Sequence, residues 1–84
     1  MDEGTQEVQK LTFGEKAVGL SFNPSNDPKV QELKMAFAKA IDLLDTMKPA
    51  YDGKPNEVAR MCAIAITEAQ TAQMWAVKAA TWKE

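Results

Sequence analysis

The side chains best suited to hold a ligand cluster within residues 10–23 of this 84-residue sequence. Phe13 stands beside Gly14, with Lys10 and Lys16 close by. A ring on a glycine-flanked arm, with ammonium groups nearby, has the parts to stack a planar ring and pair an anionic group. Asn23 adds a side chain that both donates and accepts hydrogen bonds, which suits the edge of a base. Together these residue types point to a small planar anion.

Missing chemistry narrows the reading. The chain has no histidine, and so lacks the commonest general base and metal ligand. Its single cysteine, Cys62, cannot pair within the chain. The apolar surroundings in "RMCAIA" mark it as a small core residue, consistent with a reduced intracellular setting. Asp42, Asp45, Glu57 and Glu68 read as solvated helix-face charges. The expectation is therefore a protein that is not an enzyme and needs no metal or cofactor. A formal charge of −2, mixed along the chain, argues against a nucleic-acid polymer as partner, because phosphate backbones select a basic face. The chain reads as having no signal peptide, and no apolar run approaches the ~18 residues of a membrane span.

Two helices must position these groups. "NDPKVQELKMAFAKAIDLLDTMK" opens with Asp27 as N-cap and Pro28 at the first helical position. Val30, Leu33, Phe37, Ala40, Leu44 and Met47 recur in steps of three and four, predicting one apolar stripe. Pro49 ends this helix near Lys48, and "PAYDGKPN" reads as a turn. Asn56 caps a second helix running to about Thr81, with Glu57 at its positive end. The short connection makes the two helices antiparallel neighbours. The expected fold is all-α: an antiparallel helical hairpin with a short N-terminal arm or helix. Residues 1–10 are expected to be flexible, and residues 11–84 to form a single domain.

The second helix is apolar on more than one face. Met61, Ile64, Ala65, Ala72, Trp75, Ala79 and Trp82 mark one side, while Cys62, Ile66, Ala69, Met74 and Val77 mark others. Such a helix needs cover nearly all round. One partner helix cannot supply that, so assembly into a homo-oligomer is expected. The alternative is a monomer whose arm covers the extra face. Trp75 and Trp82, seven apart, suit core or interface packing better than base stacking, and Lys78 suits the helix C-terminus. The arm itself, "FGEKAVGLSFNPSND", allows one helical turn followed by a closing turn. Val18, Leu20 and Phe22, with Phe13, could plug the open end of the hairpin.

Three segments, "FGEKAVGLSFNPS", "VQELKMAFAKAIDLL" and "AIAITEAQTAQMWAVKA", resemble the small phage hairpin proteins that counter bacterial CBASS and Thoeris defences. The resemblance spans about residues 11–82. Its most specific parts are the "FNPS" turn and the helix bearing "MWAVKA". It implies a sponge that sequesters cyclic-nucleotide alarm signals without hydrolysing them, in the cytoplasm of an infected bacterium. It also implies a compact oligomer, commonly a hexamer built as a trimer of dimers, with ligand pockets between protomers.

Site residues follow from the same resemblance. Phe13 matches an aromatic that stacks on a base. Asn23 matches the polar residue of the "FN" pair, and Lys34 matches a helix lysine that meets the ligand phosphate. Arg60 and Thr67 fall at positions of a second pocket, for cyclic trinucleotides. Ile66 stands where some relatives carry a further arginine, a departure that bears on that second pocket. Two rival classes stay open on the residues alone: a helical adaptor that binds a host protein through its apolar face, and a nucleotide-hydrolysing enzyme.

Overall fold

The computed structural model describes residues 10–49 and 52–83. All but Lys10 of the expected flexible N-terminus lies outside them. Among the described residues three helices follow in order: α1 (Phe13–Ala17), α2 (Pro28–Met47) and α3 (Glu57–Ala80).

Local chemistry explains each boundary. Thr12 caps α1 through a reciprocal pair: its hydroxyl accepts from the Glu15 N–H at 3.0 Å, and its own N–H donates to Glu15 Oε1 at 2.9 Å. The helix stops at Gly19, whose φ of +63° lies in the left-handed region. There the Leu20 N–H reaches the Glu15 carbonyl at 2.9 Å, and the Gly19 N–H reaches that of Lys16 at 3.1 Å, a Schellman closure. Asp27 caps α2 by accepting from the Lys29 N–H at 2.9 Å, with Pro28 at the first position. Lys48, held extended ahead of Pro49, ends that helix. Asn56 caps α3 by accepting from the Ala59 N–H at 2.9 Å. Both long helices thus fall where the caps and prolines predict.

α2 and α3 pack as an antiparallel hairpin: Val30 and Lys34, early in α2, share a cleft with Val77 and Thr81 at the end of α3. The core is small. Val18, Ala38, Ile41 and Ile66 form its buried centre, edged by Ala17, Leu20, Phe37, Leu44 and Ala69. Cys62 is buried as expected.

The burial pattern of α2 differs from the expected stripe. Val30 is buried and Leu33, Phe37 and Leu44 are half-buried, but Ala40 and Met47 are exposed. The centre of the covered face runs instead through Lys34, Ala38 and Ile41. The reason is that α1 packs along the flank of α2 and covers a second strip beside the one facing α3.

Gly14 permits that approach. A β-carbon there would fall within van der Waals contact of the Ala38 carbonyl oxygen and only 2.9 Å from its carbonyl carbon. With no side chain in the way, the Gly14 N–H donates to Asp42 Oδ1 at 2.7 Å. Gln70 Nε2 ties α3 to the same arm through the Ala17 carbonyl at 3.3 Å.

The arm therefore does not plug the open end with all four of its apolar residues. Val18 enters the core and Leu20 packs at its edge, whereas Phe13 and Phe22 stay 50% and 69% exposed. Nor does the arm cover the extra face of α3. Met61, Ile64, Met74, Trp75 and Trp82 all remain largely exposed. Along the shortest axis the Cα atoms extend only 13 Å, the depth of a single helical layer, so among the described residues no second layer lies over that face.

The two arm glycines serve different needs, and alanine should report them differently. Gly14→Ala is expected to destabilise by about 1–3 kcal/mol through overpacking against α2 and to detach α1. Gly19→Ala meets no steric obstacle and should cost about 1–2 kcal/mol from left-handed backbone alone. Chemical denaturation would measure both losses. Hydrogen exchange should show faster exchange of the α1 amides in Gly14→Ala.

Candidate functional site

Where the arm crosses the open end of the hairpin, a cleft of about 260 Å³ forms between the "FNPS" turn, the start of α2 and the end of α3. Two of the expected site residues, Asn23 and Lys34, line it together.

Lys34 is nearly buried, at 6% exposure. Its ammonium donates to the Gly19 carbonyl at 2.9 Å and to the Phe22 carbonyl, and lies 5.6 Å from the centroid of the Phe22 ring. An ammonium has three donors, so two arm carbonyls leave one N–H for another acceptor. Among the described residues the ion pairs are Lys29–Glu32 and Arg60–Glu57, and neither involves Lys34. A buried cation without an anionic partner is costly. Here it lines the cleft between the turn and the two helices.

Asn23 holds the turn. Its amide donates to the Asp27 carbonyl at 3.2 Å, and its Oδ1 accepts from the Ser25 hydroxyl at 2.8 Å. The Asp27 N–H then donates to Ser25 Oγ at 3.2 Å, and Asn26 takes a φ of +58°, which asparagine tolerates better than most residues. Both polar ends of Asn23 are thus engaged within the turn that leads into the α2 cap.

Phe13 lies elsewhere. It opens α1, half-exposed, and does not line this cleft. A single chain therefore unites Asn23 with Lys34 but leaves the expected stacking ring apart from them. Phe22, read from sequence as a plug, is the aromatic that the cleft contains. Its position beside Asn23 was the available signal, but spacing alone could not show that Lys34 would draw its carbonyl inward.

Arg60 and Thr67 come together in a separate shallow groove on the exposed side of α3, with Ala63, Ile64 and Glu68. Two helical turns apart, they share one face. The Glu57 carboxylate grips the Arg60 guanidinium, with Nε 3.2 Å from Oε1 and a second contact from Nη2 to Oε2. That hydrogen bond raises the Arg60 pKa above its ordinary value, against a small opposing effect of desolvation. Ile66 belongs to the core. Farther along α3, Lys78 lies between two exposed indoles, 5.6 Å from the Trp75 ring and 5.9 Å from that of Trp82. Neither tryptophan is a core residue of the chain, and Lys78 does more than offset the helix dipole. Among the described residues no helix is long and apolar enough to cross a membrane.

Compared with known proteins, residues 15–81 match the family described as the Acb2/Tad1 hairpin domain. Neither a curated protein nor a solved structure matches the chain. The matched span takes in the closing turn of the arm, all of α2 and all of α3, and therefore the whole of the Lys34 cleft. The chain belongs to the Acb2/Tad1 hairpin family, the anti-CBASS and anti-Thoeris sponge family that its sequence resembles.

Proposed function

We propose that this protein is a phage anti-defence sponge. It binds cyclic oligonucleotide second messengers in the cytoplasm of the infected bacterium and holds them uncleaved, so that CBASS or Thoeris effectors are not activated. The ligands are cyclic dinucleotides such as 3′,3′-cyclic GMP-AMP, with cyclic trinucleotides and cyclic ADP-ribose isomers as further members of the class. The observation that carries this reading is the Lys34 cleft, a nearly buried ammonium with a donor to spare, lying within the span that matches the family.

Sequestration works by mass action. The protein must bind the signal more tightly than the effector does, and be abundant enough to lower its free concentration. No covalent step is needed, in keeping with a chain that lacks histidine.

The assembly we propose is a hexamer built as a trimer of dimers, with pockets between protomers. The uncovered apolar side chains Met61, Ile64 and Trp75 of α3, with Trp82 just beyond its end, supply surface for it. A cyclic dinucleotide has two bases and two phosphates about an approximate twofold axis. A pocket across a symmetric dimer can meet each half with the same residues. Phe13, which lies off its own chain's cleft, then reaches the ligand from a neighbouring copy, while Asn23 shapes the turn at the base edge. Arg60 and Thr67 form the second pocket, with Arg60 released in part from Glu57 to meet phosphate. The same exposed face favours one alternative, a helical adaptor docking on a host protein.

Calorimetric titration should separate these readings. The panel is 3′,3′-cyclic GMP-AMP, cyclic di-AMP, cyclic tri-AMP and a cyclic ADP-ribose isomer, with each bound ligand recovered after heat denaturation. Tight binding with intact recovery is expected. Degraded ligand would instead indicate an enzyme, and no binding across the panel would leave the adaptor. Phe13→Ala and Lys34→Ala should each weaken binding about 10-fold or more, from the loss of stacking and of charge-assisted hydrogen bonds. Wild-type affinity in folded variants would remove those residues from the site.

Light scattering coupled to size exclusion should give the mass of a hexamer. Met61→Lys combined with Trp75→Lys should lower that mass while leaving the helical circular dichroism signal in place, because neither side chain is part of the chain's own core. A monomeric wild-type protein would overturn the assembly.

A further inference from the structure

We propose that Phe22 is a second base-stacking residue, the one that works with Lys34 inside a single chain's cleft. The inference deepens the cyclic-nucleotide reading and rests on it. The ring is 69% exposed, although its backbone is held at both polar atoms. The Phe22 N–H donates to the Gly19 carbonyl at 2.9 Å, and the Phe22 carbonyl accepts from Lys34. Asn23, next in the chain, is fastened through Asp27 and Ser25, and Pro24 follows it. An apolar ring left in water on a turn this constrained is organised in advance for something flat to cover it. Ordering it on binding would cost little, because the turn is already closed.

The surroundings define what that flat group is. Phe22 and Lys34 line the same cleft, with the ammonium 5.6 Å from the ring centroid. A base stacked on the outer face of Phe22 would carry its sugar-linked phosphate towards the third N–H of Lys34. Val30, Val77 and Thr81 form the facing wall. The Thr81 hydroxyl is taken up by the Val77 carbonyl at 2.9 Å, so this wall presents mainly apolar surface. A planar ring bearing an anion satisfies all three features. A purely apolar ligand would leave the ammonium without an anion, and a small inorganic anion would leave the ring uncovered. The fitting chemical class is a nucleoside phosphate.

Phe22 and Phe13 then have separate duties. Phe22 holds the base within the cleft of its own chain, and Phe13 approaches from outside it.

The test uses the full chain with 3′,3′-cyclic GMP-AMP as probe. Affinity is read by calorimetry, and stacking by the upfield shift of the ligand's base protons in NMR spectra. Phe22→Leu keeps apolar bulk and removes the π-face. It is expected to weaken binding about 10-fold and to remove part of the ring-current shift, while Phe22→Trp restores both. Wild-type affinity and shifts in Phe22→Leu, with losses only in Phe13→Leu, would overturn the proposal and leave the sponge reading intact. If Phe22→Leu weakens binding, Phe22→Trp fails to restore it, and amides of residues 19–26 exchange faster in both, the role is structural and the proposal falls. No binding by the wild-type protein would overturn this inference together with the reading beneath it.

Discussion

A buried ammonium organises the end of this molecule where ligand chemistry collects. Lys34 keeps 6% of its surface in solvent, yet it is held by carbonyl dipoles of the arm. Neutral carbonyls replace only part of an ammonium's hydration. The arrangement persists because the same contacts satisfy two turn carbonyls and fasten the turn to α2. From that fastening follow the exposed ring of Phe22, the engagement of Asn23 within its own turn, and a cleft with both helices as walls. Were Lys34 apolar, the Gly19 and Phe22 carbonyls would lose these donors.

Gly14 provides the complementary fastening at the other end of the arm. Its lack of a side chain lets α1 lie against the Ala38 carbonyl and direct an N–H to Asp42. Between the two fastenings Val18 drops into the core beside Ile41 and Ile66. The arm is therefore part of the fold as well as part of the candidate site. The remaining apolar surface sits elsewhere. A chain of this size buries only about 60–65% of its unfolded surface, and here it also leaves two tryptophans and several methionines uncovered. Covering that face by assembly would stabilise the hairpin.

Helix boundaries were legible because caps act within a few residues. Asp27 with Pro28, Lys48 before Pro49 and Asn56 with Glu57 determine where α2 and α3 begin and where α2 ends, whatever they pack against. The phase of burial was less legible. The apolar stripe pointed to Ala40 and Met47, which are exposed, and gave no hint that Lys34 and Gln73 would be buried. Burying a charged side chain is costly unless a distant segment brings it partners. For Lys34 those partners lie 12 and 15 residues away.

The site divides along the same line. By itself the sequence determined the helical hairpin, the turn at "FNPS", the excess apolar surface of α3 and, through the resemblance, the family. These depend on local hydrogen bonding, periodicity and residue type. Only the tertiary structure decided which members of the candidate set meet. It joined Asn23 to Lys34, left Phe13 apart, grouped Arg60 with Thr67 on one face, and placed the Phe22 ring over the ammonium. The physical reason is the crossing of the arm over α2, which rests on a missing side chain at Gly14 and a long cation at Lys34. Each is one residue whose partner is far along the chain, and no local pattern encodes such a meeting.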